Sequence, residues 1–472
     1  MVFSSIVFVF YFLPITLAVY ILAEKTHLMW IKNTVVLAAS LVFYSWGGVQ
    51  YLLLLLFLVA VNYVCGLLIE KTRYRKIFLS LGLAVDILSL VYYKYLNFMI
   101  RSLLAVIHSL GNTDFQIPME SIVLPIGISF FTFQIISYLI DVYRKEIHAQ
   151  KNPAWLTLYI MMFPQLIAGP IVRYSDICKE IEHRNTSAAM AEQGIRRFIS
   201  GFAKKIFIAN CMGNVVDLVF GASGTSSTLL AWTGAVCYAF QIYFDFSAYS
   251  DMAIGLGLMF GFRFNENFNF PYISKSIQEF WRRWHISLST WFRDYLYIPL
   301  GGNRKGAKRT YLNLAIVFLC TGIWHGAAWQ YIVWGIFHGA LQLLERAWLG
   351  KWLKKIPAVF SWLYTMVMVV IGWVFFRAEN LSAAIQYLKN MFTYHALDIN
   401  STDINILLKF TPLFSIVAAF AVLLSTPIAQ MIAKKNPQHS KCIINIGYLL
   451  LMCITILYLS GLSYNPFIYF QF

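Results

Sequence analysis

The chain has 472 residues, of which 59% are hydrophobic and 12% are charged, and its net charge is +16. Soluble domains are about 45–50% apolar and about 25% charged, so this composition excludes a soluble enzyme, a disordered chain, a coiled coil and a small disulfide scaffold. The apolar stretches run for about twenty residues without alternation, which predicts an all-α integral membrane protein and excludes an outer-membrane barrel.

The apolar stretches predict roughly ten to twelve crossings, at about 20 residues per span. We expect a single membrane-embedded domain over residues 1–472, with re-entrant or interfacial helices in addition to the spans. Two weaker stretches, 154–170 and 247–262, are short enough to be re-entrant or half-helices. In chain order, the predicted spans are 4–23, 33–47, 49–69, 77–99, 121–143, 227–246, 311–324, 326–348, 357–376, 404–425 and 442–461.

The basic residues lie in short loops between these stretches. They therefore predict a positive-inside topology and contact with anionic lipid headgroups, with membrane lipids rather than nucleic acid as partners. If the spans alternate, the loops around Lys71, Lys145 and Lys355 and the segment 263–310 are cytosolic, and the N-terminus is outside. The seven cysteines form no CxxC pair, so we expect no disulfide framework and no metal site.

The segment 263–310 is too polar to span and too aromatic for an ordinary loop. Ser276 and Glu279 have the spacing of a capping box, which predicts a helix from this point. On a continuous helix the aromatic and apolar side chains share one face, whereas the arginines project from the other. We therefore predict one amphipathic helix at the cytosolic interface. Its buried face holds Trp281, Trp284, His285, Leu288, Trp291, Phe292 and Tyr295, and its exposed face holds Arg282, Arg283, Ser289, Thr290 and Arg293.

Two histidines are the strongest candidates for chemistry. Ionisable groups inside a membrane are functional candidates by default, and His325 lies in an apolar stretch among small residues. Burial disfavours the imidazolium, so His325 is expected to be neutral, the state in which it accepts a proton from a hydroxyl or a thiol. The alternative is that His325 has a structural role, as a hydrogen-bonding residue. The presence of His285 favours a functional site over a structural role, because two histidines beside a basic cytosolic rim suit the binding of a phosphorylated carrier such as coenzyme A.

Other polar residues in apolar stretches are weaker candidates for a functional site. Asp245 and Asp251 are candidates for the site, but both could instead hold a broken helix together. His338 lies on a different face of the helix from His325, which favours packing. The stretch FPQLIAGP (163–170) predicts an irregular or re-entrant helix. No Walker A, GxGxxG, GxSxG or HExxH motif is present.

The central block FWRRWHISLSTWFRDYLYIPLGGNR (280–304), followed by IWHGAAW (323–329), resembles the membrane-bound O-acyltransferase superfamily. Two histidines about forty residues apart are the pattern of that superfamily. Further stretches are similar to its bacterial branch of alginate-type polysaccharide O-acetyltransferases. These stretches are PIGISFFTFQ (125–134), YFDFSAYSDMAIGLGLMFGFRFNENFNFPYIS (243–274), GWVFFRAENLSAA (372–384) and YNPFIYFQF (464–472).

The resemblance implies a bundle with a funnel on each face, the two meeting at a central histidine. His325 corresponds to the histidine regarded as catalytic, and His285 is its companion. A cytosolic thioester, acetyl-CoA above all, would donate the acetyl group. An extracytoplasmic acetyltransferase partner or a polysaccharide hydroxyl would receive it. We assign Trp281, Arg282, Arg283, Trp284, Trp324, Asp245 and Asp251 to the tunnel, with Arg282 and Arg283 on the phosphates of coenzyme A.

The predicted function is O-acetylation of an exported polysaccharide or cell-wall glycan by an enzyme of the bacterial cytoplasmic membrane, with no tightly bound cofactor. Three alternatives remain open at the level of sequence. The first is a D-alanyl transfer subunit for teichoic acid, supplied by a carrier protein. The second is a transporter or flippase in which His325, Asp245 and Asp251 form a path for protons or substrate. The third is a structural scaffold for polymer export.

Overall fold

The structure is a computed structural model, which describes residues 1–111, 117, 122–222, 227–397, 402–435 and 441–461. These residues form helices and turns and include no strand, so the all-α prediction is confirmed. The terminal stretch at 464–472 that contributes to the family resemblance lies outside the described residues. The chain folds into two compact units, and the prediction of one membrane-embedded domain stays a prediction.

The first unit comprises Met1–Ile195 and Ala253–Asn265. The helices that begin in its first part are α1 (Leu13–Glu24), α2 (Met29–Ser45), α3 (Val49–Lys71), α4 (Arg75–Leu90), α5 (Leu96–Ser109), α6 (Ile128–Arg144), α7 (Pro153–Met161), α8 (Phe163–Leu166), α9 (Tyr174–Glu182) and α10 (Ala188–Ala203). A π-helical turn joins α4 to α5, so the two form one continuous rod over Arg75–Ser109.

The second unit comprises Arg196–Met252 and Glu266–Phe472, and it contains both candidate histidines. The helices that begin in it are α11 (Asn210–Gly221), α12 (Thr228–Met259), α13 (Ile277–Arg283), α14 (Ile286–Phe292), α15 (Gly306–His325), α16 (Trp329–Leu344), α17 (Gly350–Leu353), α18 (Ala358–Arg377), α19 (Leu381–Phe392), α20 (Thr402–Leu407), α21 (Pro412–Leu424), α22 (Ile428–Lys435) and α23 (Lys441–Ser460).

Long apolar helices identify a multi-pass membrane protein. By length and composition, four helical segments of the described chain can cross a membrane: Val49–Lys71, Arg75–Ser109, Ala358–Arg377 and Lys441–Ser460. Shorter apolar helices cover Phe8–Glu24, Met29–Ser45 and Pro412–Leu424. Each of the predicted spans overlaps a helix. Large apolar side chains such as Leu53 and Phe57 are exposed on these helices, which suits contact with lipid.

One predicted break in a helix is wrong. The stretches 227–246 and 247–262 were expected to be separate, yet they form the single helix α12. This region contains no proline that would end a helix, and its polar side chains are buried within the protein instead of opening the helix. By contrast, the irregular stretch predicted at 163–170 is confirmed, because the short helix α8, with Pro164 in its first turn, ends at Leu166.

Helices α15 and α16 form a tightly packed hairpin around two glycines. A Cβ placed on Gly335 would lie 2.5 Å from the Phe318 carbonyl oxygen and 3.0 Å from the Gly322 Cα. A Cβ on Gly322 would lie 2.5 Å from the Tyr331 carbonyl oxygen. Real Cβ atoms do not approach backbone this closely, so the two helices can pack at this distance only with glycine at both positions.

Replacing Gly335 by Ala is expected to destabilise the protein by about 1–3 kcal/mol, because the added methyl group overpacks the hairpin. A glycine-to-alanine change inside an unconstrained helix acts in the opposite sense, by up to about 1 kcal/mol. Gly447→Ala is the matched control, since nothing lies within 4 Å of a Cβ at that position. Thermal unfolding in detergent micelles compares the two variants, and equal transitions would contradict the close packing.

Candidate active site

His325 is the last residue of α15, and its position is fixed by the hairpin. The backbone turns sharply after it, because Gly326 is extended (φ −166°) and ends the helix. A side chain at Gly326 would overlap the ring of Tyr331. The chain then reverses into α16 within a few residues. The small residues that follow His325 in the sequence therefore serve a tight turn.

Aromatic rings enclose the His325 side chain, which is 6% exposed. The imidazole centroid lies 4.9 Å from Trp324, 4.9 Å from Trp334 and 5.1 Å from Phe376, and each pair of rings is close to perpendicular. Edge-to-face contacts of this kind hold a ring in one orientation. Three helices, α15, α16 and α18, thus contribute to one pocket around the imidazole.

His285 lies between α13 and α14, where the backbone changes direction. Its φ of 44° is left-handed, which is uncommon for a residue with a side chain. This conformation breaks the continuous amphipathic helix that the sequence predicts over this segment, so that prediction is wrong. The burial pattern is nevertheless confirmed, since the predicted inner face from Trp281 to Tyr295 is buried and Arg282 is exposed.

Asn267 holds His285 in place. Its Oδ1 lies 3.2 Å from the Nδ1 of His285 and accepts a hydrogen bond of 2.9 Å from the Ser287 hydroxyl. Its Nδ2 donates to the Ser250 hydroxyl at 3.1 Å, which assigns the orientation of the amide. Because Oδ1 is an acceptor, Nδ1 of His285 carries the proton, and Nε2 is the basic nitrogen of the ring.

Burial also sets the charge of His285. The side chain is 1% exposed, and desolvation of the imidazolium lowers its pKa from 6.5 to about 3. The ring is therefore neutral throughout the physiological range. A neutral imidazole with a defined tautomer can accept or share a proton at one known atom.

Both predicted histidines contact the ring of the same residue, Trp324. Trp324 is buried, and its ring centroid lies 6.2 Å from His285 and 4.9 Å from His325. Phe246 of α12 also contacts His285, with ring centroids 4.7 Å apart. Residues far apart in sequence thus lie close together, and the catalytic assignment of the two histidines stays a prediction.

The predicted tunnel tryptophans occupy two different environments. Trp281 contacts Trp334 and His338 at 5.6 Å and 5.2 Å, so it belongs to the ring system around His325. Trp284 packs against Trp373 of α18 at 4.8 Å. Both side chains are buried, which agrees with the predicted inner face of the segment.

The two neighbouring arginines also differ. Arg283 pairs with Glu279 at 2.9 Å and donates a hydrogen bond to the Asn269 carbonyl at 3.1 Å. Its charge is therefore paired within the segment 263–310. Arg282 is exposed and lines a pocket together with Arg293 and Arg346. The predicted cap at the start of α13 is present, since the Ser276 hydroxyl accepts a hydrogen bond from the Glu279 amide at 3.0 Å.

Asp245 and Asp251 form ion pairs along α12. Asp245 pairs with Lys205 at 2.7 Å, and both side chains are almost fully buried. Asp251 pairs with Lys204 at 2.8 Å and Arg197 at 2.9 Å. The suggestion that they hold a broken helix together is wrong, because α12 is continuous at both positions. Paired charges of this kind neutralise one another inside an apolar environment.

Sequence patterns did not indicate three side chains of this site: Asn267, Trp334 and Phe376. Asn267 precedes His285 by eighteen residues in an irregular stretch, where no helical or strand spacing relates the two. Phe376 lies on another helix altogether. Only Trp334 could have been found, because it follows His325 on the next helix of a hairpin with a short turn.

Comparisons with known proteins show what the chain is similar to. The model of the membrane-bound O-acyltransferase family matches residues 36–382. A probable alginate O-acetylase (AlgI) of Azotobacter vinelandii is 42% identical over the full length of both chains. A peptidoglycan O-acetyltransferase of Helicobacter pylori is 37% identical over 83% of this chain and 80% of the relative. A teichoic acid D-alanyltransferase of Bacillus subtilis is 30% identical over 54% and 67%.

The family match, these relatives and the long apolar helices together define an enzyme class, the membrane-embedded acyltransferases. The chain belongs to the membrane-bound O-acyltransferase family, and it is a multi-pass acyltransferase. Among the relatives above, the O-acetyltransferases cover more of the chain at higher identity than the D-alanyltransferase does.

Asn267→Ala is expected to lower acyl transfer about tenfold or more, because His285 loses the partner that sets its tautomer. Asn265→Ala is the matched control: Asn265 is an exposed asparagine of the same stretch. Transfer rates at equal amounts of folded protein in membranes measure the effect. Equal rates for the two variants would show that Asn267 does not position a working histidine.

Asn267→Asp is expected to add a pH dependence. A carboxylate beside His285 stabilises the imidazolium and raises the pKa of the ring from about 3. Transfer then falls as the pH drops through the raised pKa, since an imidazolium has no nitrogen left to accept a hydrogen bond. The wild type has no such decline from His285 above pH 5. Rates measured between pH 5 and 8 test this, and parallel profiles would contradict it.

Proposed function

We propose that the protein transfers acetyl groups from cytosolic acetyl-CoA for O-acetylation of an exported polysaccharide or cell-wall glycan, in the bacterial cytoplasmic membrane. The observation that carries the proposal is the convergence of His285 and His325 on Trp324 within a buried site. The alginate and peptidoglycan O-acetyltransferases among the relatives support an exported glycan as the acceptor class.

His325 acts as the general base in this mechanism. The neutral imidazole takes the proton from the acceptor hydroxyl as the oxygen attacks the thioester carbonyl carbon. The carbon–sulfur bond breaks, and the leaving thiolate takes that proton, so that coenzyme A leaves as the thiol. The variant route is a transient acyl-histidine, in which the imidazole attacks the thioester first and the hydroxyl then accepts the acetyl group.

His285 has a positioning role in the proposal. The bond from its Nδ1 to Asn267 leaves Nε2 as the ring's acceptor atom, which suits a hydrogen bond to the acceptor hydroxyl or to a donor amide. The role of the base itself is assigned to His325, as the resemblance to the family implies. The funnels that would bring donor and acceptor to the two histidines belong to the same proposal.

The acceptor reaches the site in one of two ways. Either a hydroxyl of the glycan enters from the outer face, or a separate extracytoplasmic acetyltransferase takes the acetyl group and passes it to the polymer. The positive-inside pattern supports the direction, because the basic segment 263–310 favours the cytosolic side, from which a thioester would be supplied.

A second candidate function is D-alanyl transfer to teichoic acid from a carrier protein. It is supported by the similarity to the teichoic acid D-alanyltransferase over part of the chain. The two functions share the histidines and differ in the donor, so the donor is what distinguishes them.

The test uses membranes that contain the protein and acetyl-CoA labelled in the acetyl group. The label is followed into exported glycan or a co-expressed outer acetyltransferase. His325→Ala is expected to lower transfer by about 10²–10⁴-fold, the usual contribution of a general base. His148→Ala is the matched control, since that histidine is exposed, pairs with Glu70 and belongs to the first unit.

Each outcome discriminates between the candidates. Transfer that is lost in His325→Ala and retained in His148→Ala supports the acetyltransferase. Transfer that requires a D-alanyl-loaded carrier protein in place of acetyl-CoA favours the second function. Equal transfer by wild type and His325→Ala would overturn the assigned role of His325.

A further inference from the structure

An apolar slot of about 690 Å³ lies within the second unit, and no step of the proposed mechanism uses it. Val236 and Phe240 of α12 and Val422 of α21 contribute to its walls. The volume lies in the range of about 300–1,000 Å³ that is usual for a ligand site. The largest part of the lining comes from one face of α18, with Ala358, Val359, Trp362, Met366, Val369 and Val370.

The polar side chains of the slot, with one exception, form hydrogen bonds inside the protein. The Tyr272 hydroxyl donates to the Ala239 carbonyl, and the Trp362 indole donates to the Tyr272 carbonyl at 2.8 Å. The hydroxyls of Ser425 and Thr426 each donate to a carbonyl of α21 at 2.7 Å. The slot therefore presents apolar surface to a ligand, which suits a hydrocarbon chain.

The exception is Lys275, whose exposed side chain lines the slot. Its backbone amide donates to Glu279 at 3.0 Å, but that carboxylate forms its ion pair with Arg283. Within the described part of the chain, the Lys275 ammonium group joins no ion pair, and none of the residues that line the slot is a carboxylate. A single cation beside apolar surface suits a ligand with an anionic head and a hydrocarbon chain.

The slot has the length of a lipid chain, and Lys275 lies near its outer end. Tyr272, three residues before Lys275, accepts the hydrogen bond of Trp362 in the second turn of α18. The slot extends along α18 from Ala358, the first residue of this candidate span, to Val370, a rise of about 18 Å. Half of the hydrocarbon core of a bilayer measures about 15 Å, which is the depth of one leaflet.

We propose that the slot binds one anionic phospholipid of the cytosolic leaflet, with the phosphate on Lys275 and one acyl chain along α18. The segment 263–310, which carries Lys275, is predicted to be cytosolic, and anionic lipids give the cytosolic leaflet its negative surface. Such a site differs from general contact with lipid because it selects the charge of the headgroup. Binding needs neither an acyl donor nor an acceptor, so the site does not depend on the proposed function.

The lipid supports the helix that carries part of the histidine site. Val369 and Val370 line the slot, whereas Phe376 of the same helix contacts His325 at 5.1 Å. An acyl chain restores dispersion contacts that α18 lacks where its surface faces a gap. A ligand of the folded state also raises stability by mass action. Phosphatidylglycerol should therefore raise the unfolding temperature of the wild type more than that of Lys275→Gln.

The experiment measures lipid binding by the whole protein, purified in detergent and stripped of lipid. Native mass spectrometry gives the Kd for dioleoyl phosphatidylglycerol, which is anionic, and for dioleoyl phosphatidylcholine, which has no net charge. We expect the wild type to bind phosphatidylglycerol about fivefold more tightly, the usual contribution of one lysine near an anionic headgroup. Lys275→Gln should remove this preference by weakening phosphatidylglycerol binding and should change phosphatidylcholine binding much less.

Four further variants test the headgroup and the chain separately. Lys308→Gln removes the same charge from an exposed lysine of the same segment outside the slot, and its Kd values should match the wild type. Lys275→Arg keeps the charge and should keep the preference. Val370→Trp fills the inner end of the slot and should weaken both lipids by more than about tenfold, because it displaces buried methylene groups. Leu363→Trp is its matched control at an exposed position of α18 outside the slot.

Three results would overturn the inference. Equal Kd values of the wild type and Lys275→Gln for phosphatidylglycerol would remove the headgroup from Lys275. Equal binding of both lipids by the wild type would leave only general contact with lipid. Unchanged binding by a folded Val370→Trp variant would exclude the acyl chain from the slot. Thermal unfolding without lipid identifies a variant that does not fold, and Lys275→Gln, which alters an exposed side chain, then decides alone.

Discussion

The backbone contact between α15 and α16 at Gly322 and Gly335 is the constraint on which the site depends. It brings Trp334, the residue before Gly335 on α16, against His325. It also involves the Phe318 carbonyl, and the side chain of Phe318 packs on Trp281. Helices in an apolar environment gain association energy from close packing of this kind, since no hydrophobic effect drives them together. One contact therefore determines the wall of the histidine site and one wall of the pocket that Arg282 lines.

His285, Asp245 and Asp251 are held by specific partners because unpaired polar atoms are costly in apolar surroundings. The left-handed backbone at His285 persists because Asn267 accepts from Ser287 and its carbonyl accepts from the Ile286 amide at 2.9 Å. This small network turns the imidazole inwards and defines its tautomer. The ion pairs of Asp245 and Asp251 serve α12 in the same way.

Several properties could be predicted from residue types and spacing. The helical class follows from long apolar stretches, and the inner face of the segment from Trp281 to Tyr295 follows from its periodicity. The prediction failed where a tertiary contact opposed a local preference. The segment has a helical pattern, yet the bonds from Asn267 make a break at His285 the lower-energy arrangement. Two adjacent arginines that sequence patterns treat alike also have different environments, since Arg283 pairs with Glu279 and Arg282 lines a pocket.

The sequence by itself determined that the chain is a helical membrane protein, that His285 and His325 are its candidate reactive groups, and that basic residues surround them. Composition and periodicity carry this information because each residue contributes to it independently of its distant neighbours. Only the tertiary structure decided that both histidines contact Trp324, that Asn267 sets the tautomer of His285, and that Arg346 joins Arg282 at one pocket. These relations depend on distances between residues on different helices, which helix packing sets and local sequence does not encode.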